Sequence, residues 1–420
     1  LHVTLAGAAP VRGYDGAATT LVYDGRARDA AVVDVAHAQG ATVRDLRIEA
    51  APGRRFGVGV LFHRSESAKT GAARLLAPSA LSVLDVAIAA GAGAFTTGVR
   101  LGDPGPDGAL DQNCDHSLLR GVHIDGASDD DGGTPGDLSD GRNASGVHLA
   151  ASQVQGSLLQ DLHVRRSGTG VFVEAGQLQL FGGVFEDNVQ PGPGPGQSLV
   201  DDNHGAAGEP GGRGGGDIVF RSGYGAGHVI QGVRSRGSLR FLGGFLEDQD
   251  SRPHSGRNND WQGDHAVVLT IVDCVVESVR HPAGQAVLLA GSGGPLVLWG
   301  CTLGAPGSPP LHVAAGAYTQ AAVVLLGCRF NQGDRVVRVH GAGGKTRGAP
   351  PRLFLLRSIA VDAGGREAPL PGDDGALPPA LASLLTRLAR PGLPPRPRGT
   401  SARPEPAGPL VLDLAKPFEH

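Results

Sequence analysis

The chain has 420 residues, with 37 basic and 41 acidic side chains and a formal net charge of −4. The arginines are scattered among acidic residues, so the sequence does not indicate a nucleic-acid-binding protein. No apolar stretch reaches the roughly 18–20 residues of a membrane span, and none is predicted. The 68 glycines and 30 prolines punctuate short Val, Leu and Ile runs, which is typical of buried strands separated by turns.

Residues 1–40 contain strand-like runs, LHVTLAG and LVYDG, that lead into a repeat over residues 41–362. The chain contains no methionine, including at position 1. We therefore expect that the given start is not the genetic start and that a signal peptide, a pro-segment or an N-terminal cap has been removed.

A similar apolar strand recurs through the repeat. Its copies are VRDLRIEA (43–50), SVLDVAIAA (82–90), LLRGVHIDG (118–126), LLQDLHVRR (158–166), LFGGVFEDN (180–188), RFLGGFLEDQ (240–249), VVLTIVDCVV, PLVLWGCTL, AVVLLGCRF and LFLLRSIAV (353–361). A second strand follows in most repeats: GVGVLF (57–62), TGVRL (97–101), SGVHL (145–149), TGVFV (169–173), DIVF (217–220) and HAVVL (265–269). A third is visible in places, such as GHVIQGV (227–233).

Three of the four cysteines, Cys274, Cys301 and Cys328, lie 27 residues apart at equivalent positions of this strand. Strand alternation places them in one inward column. The predicted column is Leu46, Val86, Val122, Leu162, Gly183, Gly244, Cys274, Cys301, Cys328 and Ser358. We expect the thiols to stack inside as small apolar groups; a disulfide between adjacent repeats is the alternative.

A fixed repeat of short strands and turns predicts a solenoid. The fold class is therefore all-β, a right-handed parallel β-helix of about ten coils, with the handedness taken from the general rule for parallel crossovers. A β-propeller is disfavoured, because it requires longer repeats of antiparallel hairpins. Residues 363–420 form a Pro/Arg-rich tail with a predicted short helix over 378–390.

The run from LHVTLAG through LVYDG to AQGATVRDLRI resembles the opening of the pectin-lyase-like superfamily, in particular its pectate-lyase-type and phage-tailspike-like members. The resemblance covers residues 1–362 and implies the β-helix fold, with substrates bound in a groove along one strand ladder. The chain lacks a polygalacturonase-type Asn-Thr-Asp strand and a paired Asp-Asp turn in the matching place.

Three long insertions, 126–144, 187–216 and 248–264, are predicted between the first and second strands of their coils. Loops grouped on one edge of a solenoid often form a binding wall, so we expect a cleft there. The alternatives are that the loops have no function or that they form a subunit interface.

Mixed acids, arginine and tryptophan near this cleft suit a sugar substrate. The catalytic candidates are Glu186, Asp187, Asp260 and Asp264 for hydrolysis, and Arg100, His148 and Arg221 for a lyase reaction. The substrate-binding candidates are Trp261, His265, Phe172 and Glu174. Solvated surface charges are the plain alternative, and Glu174 with Arg221 would then be an ion pair between coils.

No cofactor or metal is predicted. The aspartate-rich loop 128–143 leaves calcium as an alternative, although its spacing fits no EF-hand. His123 and His163 are expected on adjacent coils as an uncharged surface pair, because no third metal ligand is evident.

These features predict a secreted or cell-surface protein that acts on an acidic polysaccharide by lyase or hydrolase chemistry. One alternative is a structural or adhesin-type subunit that forms a homo-oligomer or fibre through its solenoid edges and tail. The other is a non-catalytic glycan-binding module. Fold alone does not choose between them.

Overall fold

The computed structural model describes a large part of the chain. The described residues are 4–6, 19–36, 38–63, 79–102, 114–128, 144–150, 154, 156–173, 177–188, 216–220, 223–224, 228–237, 239–241, 245–246, 269–277, 287–289, 296–304, 311–314, 322–331, 337–340, 352–362 and 364–370. They form strands and turns and contain no helix. The chain divides into two units, 1–372 and 373–420, and the described residues all belong to the first. The predicted helix 378–390 therefore lies outside them.

The strands form three parallel ladders, which the chain visits in the same order repeat after repeat. The first ladder contains β1 Thr4–Ala6, β4 Thr42–Arg44, β7 Ser82–Leu84, β10 Leu118–Arg120, β13 Leu158–Arg165, β15 Gln179–Glu186, β18 His228–Gln231, β22 Leu269–Val272, β25 Leu296–Trp299, β28 Ala322–Leu326 and β31 Arg352–Leu356. The second contains β2 Thr19–Tyr23, β5 Leu46–Ala50, β8 Ala87–Gly91, β11 His123–Asp125, the second halves of β13 and β15, β19 Arg234–Ser235, β23 Val275–Val276, β26 Thr302–Leu303, β29 Arg329–Phe330 and β32 Ile359–Val361.

The third ladder is a separate sheet. It contains β3 Ala31–Ala36, β6 Arg55–His63, β9 Ala94–Leu101, β12 Ser145–Leu149, β14 Thr169–Val173, β16 Ile218–Phe220, β20 Leu239–Phe241, β24 Val287–Leu289, β27 Leu311–Ala314 and β30 Val337–His340. The short strands β17 Gly223–Tyr224 and β21 Phe245–Leu246 pair with each other, and β33 Glu367–Pro369 runs antiparallel to β32. This all-β arrangement of parallel ladders is compatible with a solenoid.

From the second repeat to the last, a residue with positive φ lies at the bend between the first and second ladders. These residues are Asp45, Asp85, Gly121, Asp161, Gly182, Gly232, Asp273, Gly300, Gly327 and Arg357. Glycine and aspartate tolerate this left-handed conformation better than most residues. The backbone N–H at the bend still bonds to the next repeat, as in Gly300 N to Leu326 O at 2.9 Å. The bend therefore turns the chain without interrupting the ladder.

The inward column that follows the bend agrees with the predicted one except at one position. The seventh repeat contributes Val233, which is 1 % exposed, in place of the predicted Gly244. The four cysteines are buried and free, so the prediction of stacked thiols is confirmed and the disulfide alternative is wrong. The Cys301 thiol lies 3.3 Å from Ile271 O, and Ser358 Oγ makes the equivalent contact with Leu325 O at 3.1 Å.

The seventh repeat was misassigned from the sequence. The first-ladder strand is β18 within GHVIQGV (227–233), whereas the predicted strand 240–249 overlaps β20, which belongs to the third ladder. HAVVL (265–269), predicted as a second strand, instead ends at Leu269, the first residue of β22 in the first ladder. The other predicted first strands are all extended, but apart from β13 and β15 each is divided by the bend into a first-ladder strand and a second-ladder strand. The five remaining predicted second strands are confirmed as strands of the third ladder.

This correction also separates the three insertions. Residues 129–143 follow β11 and residues 189–215 follow β15, so both connect the second ladder to the third. Residues 248–264 instead come after β20 and β21 and before β22, where the chain returns to the first ladder. The prediction that all three insertions occupy the same corner of the repeat is therefore wrong for the third.

Candidate functional site

The predicted groove face belongs to the third ladder, where Arg100, His148 and Phe172 occupy equivalent positions on β9, β12 and β14. The register is therefore as predicted, but the side chains do not stand open. His148 and Phe172 are completely buried, with ring centroids 4.9 Å apart, and the next residue in the column, Val219, is also buried. The expectation of an open groove along this column is wrong at these positions, and the catalytic roles of Arg100 and His148 stay predictions.

Several predicted site residues lie outside the described part of the chain. They are Glu174, Arg221, Asp260, Trp261, Asp264 and His265. Most of the aspartate-rich loop, 129–143, lies outside it as well.

The remaining acidic candidates, Glu186 and Asp187, lie where β15 ends. Glu186 is partly buried, and its Oε2 is 3.7 Å from Nε2 of His163 on the adjacent strand β13. Asp187 is exposed and has a positive φ of 55°. The structure thus places a carboxylate beside a histidine that the sequence had assigned to a simple imidazole pair.

The imidazole pair itself is present. His123 and His163 are direct partners on β11 and β13, with ring centroids 5.5 Å apart and an edge-to-face geometry. Burial lowers the pKa of His123, and repulsion from His163 lowers it further, while Asp85 acts in the opposite direction. Since its ordinary pKa is 6.5, His123 is a neutral imidazole at neutral pH and can accept a proton.

Arg165 and Arg166 follow His163 by two and three residues, and their common partner was not predicted from the sequence. Asp125 at the end of β11 is 4 % exposed, and Arg166 contacts both of its carboxylate oxygens at 2.6 Å. Arg165 Nε reaches Asp125 Oδ2 at 3.0 Å. The signal was available, because HID on one strand and HVRR on the next place Asp125 opposite Arg165.

Acidification should weaken the fold through Asp125. Burial on its own would raise the pKa of this carboxyl, but the hydrogen bonds from Arg166 and Arg165 outweigh it and hold the pKa below the ordinary 3.8. A lowered folded pKa gives stability that is present above the unfolded pKa and is lost as the pH falls through the folded one. We expect Asp125→Asn to lose less stability than the wild type below about pH 4.

Chemical denaturation at several pH values between about 2 and 7 measures this difference. The control is Asp24→Asn, which removes an exposed pair in which Arg54 Nε lies 2.9 Å from the carboxylate. Such a surface pair contributes little, so this variant should follow the wild type. If the stability of the wild type and of Asp125→Asn fell in parallel as the pH is lowered, the expectation would be contradicted.

The outer face of the second ladder also carries charges of alternating sign from repeat to repeat. The column contains Asp125, Arg165, Glu186, Arg236 and Glu277. Arg236 Nε is 3.7 Å from Glu277 Oε2, and Arg234 approaches the same carboxylate at 3.4 Å. Such exposed pairs contribute about 0–1 kcal/mol each, so the column also has a purely structural interpretation.

A candidate site can therefore be defined from His123, His163, Glu186, Arg165 and Arg166, here called the corner cluster. It combines a neutral base, a carboxylate and two guanidinium groups on three adjacent strands. It lies where 129–143 and 189–215 leave the second ladder. These groups are suited to binding an anionic substrate and to transferring a proton.

Within the described ranges, no three His, Cys, Asp or Glu side chains are grouped so as to hold a metal ion. The same residues include no helix with the length and hydropathy to span a bilayer. Comparisons with protein families, curated proteins and solved structures found no match to this chain.

Proposed function

We propose that the chain is a right-handed parallel β-helix of about ten coils, similar to the pectin-lyase-like superfamily, with a C-terminal tail that contains a short helix. The support is the fixed order in which the chain visits three parallel ladders. We further propose that the protein is secreted or exposed at the cell surface and that it acts on an acidic polysaccharide, without a resident cofactor.

The observation that carries this proposal is the convergence of acid, base and guanidinium groups in the corner cluster. Arg165 and Arg166 would hold the carboxylate of a uronate sugar, because guanidinium groups recognise carboxylates with directed hydrogen bonds. Arg166 has a side chain that is 65 % exposed, so it can reach a ligand while it contacts Asp125.

The reaction that fits these groups best is β-elimination. Neutral His123 would remove the proton on the carbon next to the uronate carboxylate. The electron pair of that C–H bond would form the new carbon–carbon double bond as the glycosidic C–O bond breaks. The His163–Glu186 pair would supply a proton to the departing oxygen, and the arginines would stabilise the charge that develops on the carboxylate.

A panel of acidic polysaccharides tests this reaction. We expect new chain ends that absorb in the ultraviolet because they contain a conjugated double bond. His123→Ala should lower their rate of formation by about 100-fold or more, as expected for loss of a general base. Parallel assays with added calcium and with a chelator test the calcium alternative.

The matched control is Arg329→Gln, which changes a half-exposed arginine of the same ladder that pairs with Glu367. This variant should retain the wild-type rate. New reducing ends without ultraviolet absorption would favour a hydrolase built on Glu186, Asp187, Asp260 or Asp264. Equal rates for wild type and His123→Ala would contradict the role of His123.

A structural subunit is the second candidate, and a specific observation favours it. The outward residues His148, Phe172 and Val219 are completely buried, so this column offers no open groove to a substrate. Inactivity in both assays, together with oligomers or filaments in light scattering and electron microscopy, would support this candidate.

A further inference from the structure

The third ladder contains a column of glycines. Gly59, Gly98, Gly146 and Gly170 are equivalent positions in four successive repeats. A Cβ on Gly98 would lie 2.6 Å from the carbonyl oxygen of Gly146 and 2.8 Å from Ile124 Cδ1. The space next to each glycine is filled by a bulky second-ladder residue of the following repeat, and these residues are Ile88, Ile124, Val164 and Phe185.

The next repeat departs from this rule at both positions. Asp217 occupies the place of the glycine, and Ser235 occupies the place of the bulky residue that faces it. Both side chains are completely buried. The side chain that faces Asp217 is small, which leaves room for the carboxyl group beyond the Cβ. The two changes compensate each other in volume and introduce a polar pair into the interior.

The Asp217 carboxylate accepts three hydrogen bonds. Ser235 Oγ and Gly237 N donate to Oδ2 at 2.6 and 2.7 Å, and Asn188 Nδ2 donates to Oδ1 at 2.9 Å. Asn188 is itself completely buried and extends the network to the preceding repeat. Its Nδ2 donates to Val164 O at 2.9 Å, and its Oδ1 accepts from Ser167 N at 3.0 Å.

We propose that Asp217 and Asn188 form a proton-controlled latch that joins three successive repeats on either side of the 189–215 connection. Asn188 is the described residue just before this connection, and Asp217 lies just after it. The proposal does not depend on a polysaccharide substrate.

The chemistry of the network makes it sensitive to protons. Burial raises the pKa of Asp217 to about 6, although the bonds from Ser235, Asn188 and Gly237 oppose this shift. Among the described ionisable groups, Asp187 acts on it and raises the pKa further. Of the three donors, the Ser235 hydroxyl can also accept a hydrogen bond, so it is the partner that adapts when Asp217 is protonated.

The pKa of Asp217 in the folded protein lies above the ordinary 3.8, so the folded state binds the proton more tightly than the unfolded state. The resulting stability is fully present below about pH 4 and is lost as the pH rises through about 6. His123 acts in the opposite direction, because its lowered pKa destabilises the fold as the pH falls below 6.5. A comparison between variants separates the two effects.

The test is chemical denaturation of wild type and Asp217→Asn at pH 7.5 and 4.5. Asparagine cannot titrate, so acidification should raise the folding equilibrium constant of the wild type roughly 20-fold relative to the variant. The control is Asp362→Asn, which alters an exposed carboxylate that accepts bonds from Gly364 N and Arg366 N at 2.8 Å. This control should follow the wild type.

A second variant covers the outcome in which Asp217→Asn does not fold. The double substitution Asp217→Gly with Ser235→Phe restores the arrangement found at Gly170 and Phe185, so it should fold and should lose the same pH dependence. If the stability of either folded variant changes with pH in parallel with that of the wild type, the proposed latch is overturned.

Discussion

Replacing Gly170 with alanine is expected to lower the free energy of unfolding by about 3 kcal/mol, the upper part of the usual range for overpacking. The added Cβ would overlap the carbonyl oxygen of Asp217 and would lie 2.7 Å from Phe185 Cδ1. The backbone has little freedom to move away, because Gly170 N and Val171 N bond to Gly216 O and Asp217 O at 3.0 and 2.8 Å.

The control for this substitution is Gly327→Ala. Gly327 has a φ of 60°, and a Cβ there would have no atom within 4 Å. The substitution then lowers the free energy of unfolding only because alanine disfavours the left-handed conformation, by about 1 kcal/mol. Urea denaturation of the two variants measures both values. Equal destabilisation would show that the close approach of repeats at Gly170 is not what limits side-chain size there.

Replacing Asn188 with alanine is expected to lower the free energy of unfolding by about 3 kcal/mol. Ser167 N, Val164 O and the Asp217 carboxylate would each lose a buried hydrogen-bond partner, and every such loss costs about 1–3 kcal/mol before relaxation. The estimate is kept at the lower end because water that enters the space left by the amide would restore some of these bonds.

The matched control is Gln177→Ala. Gln177 Oε1 accepts a bond from Gly156 N at 2.9 Å, so it also links neighbouring repeats through a side-chain amide, but in an exposed position. Water replaces this bond readily, and the expected cost is below about 1 kcal/mol. If both variants unfold at the same urea concentration, the buried network contributes no more than a surface bond.

Much of the ladder arrangement follows from the sequence. The spacing of Cys274, Cys301 and Cys328 identified an inward column correctly, because equivalent positions of stacked strands share one face. The positive-φ residue before this column was not predicted. The alternation of inward and outward side chains was applied as if the strand continued through it. A signal was present: Asp or Gly precedes nearly every residue of the column, as in VRDL, RGV and WGC. These are the residues that adopt positive φ most easily.

The seventh repeat shows where sequence reasoning failed. RFLGGFLEDQ resembles LFGGVFEDN of the preceding repeat, so the two were aligned. Composition cannot distinguish two apolar strands that belong to different ladders; only their pairing does, and β20 pairs with β16. The consequence was the misplacement of the 248–264 insertion.

The candidate site was harder to predict than the fold. Sequence alternation placed His148 and Phe172 on the correct face, but it carries no information on what covers that face, and both are buried. The contacts of Asp125 with Arg165 and Arg166 join residues 40 and 41 positions apart. The paired change at Asp217 and Ser235 becomes visible only after the register shows which residues face each other.

The antiparallel strand β33 has a consequence for assembly. It covers the last second-ladder strand, β32, and an ion pair from Glu367 to Arg329 fastens it to the preceding repeat. Its final residue, Pro369, has no N–H to offer to an incoming strand. A second molecule that approached this ladder end-on would meet reversed chain polarity and a missing donor. This end of the second ladder is therefore a poor template for a further parallel strand from another molecule.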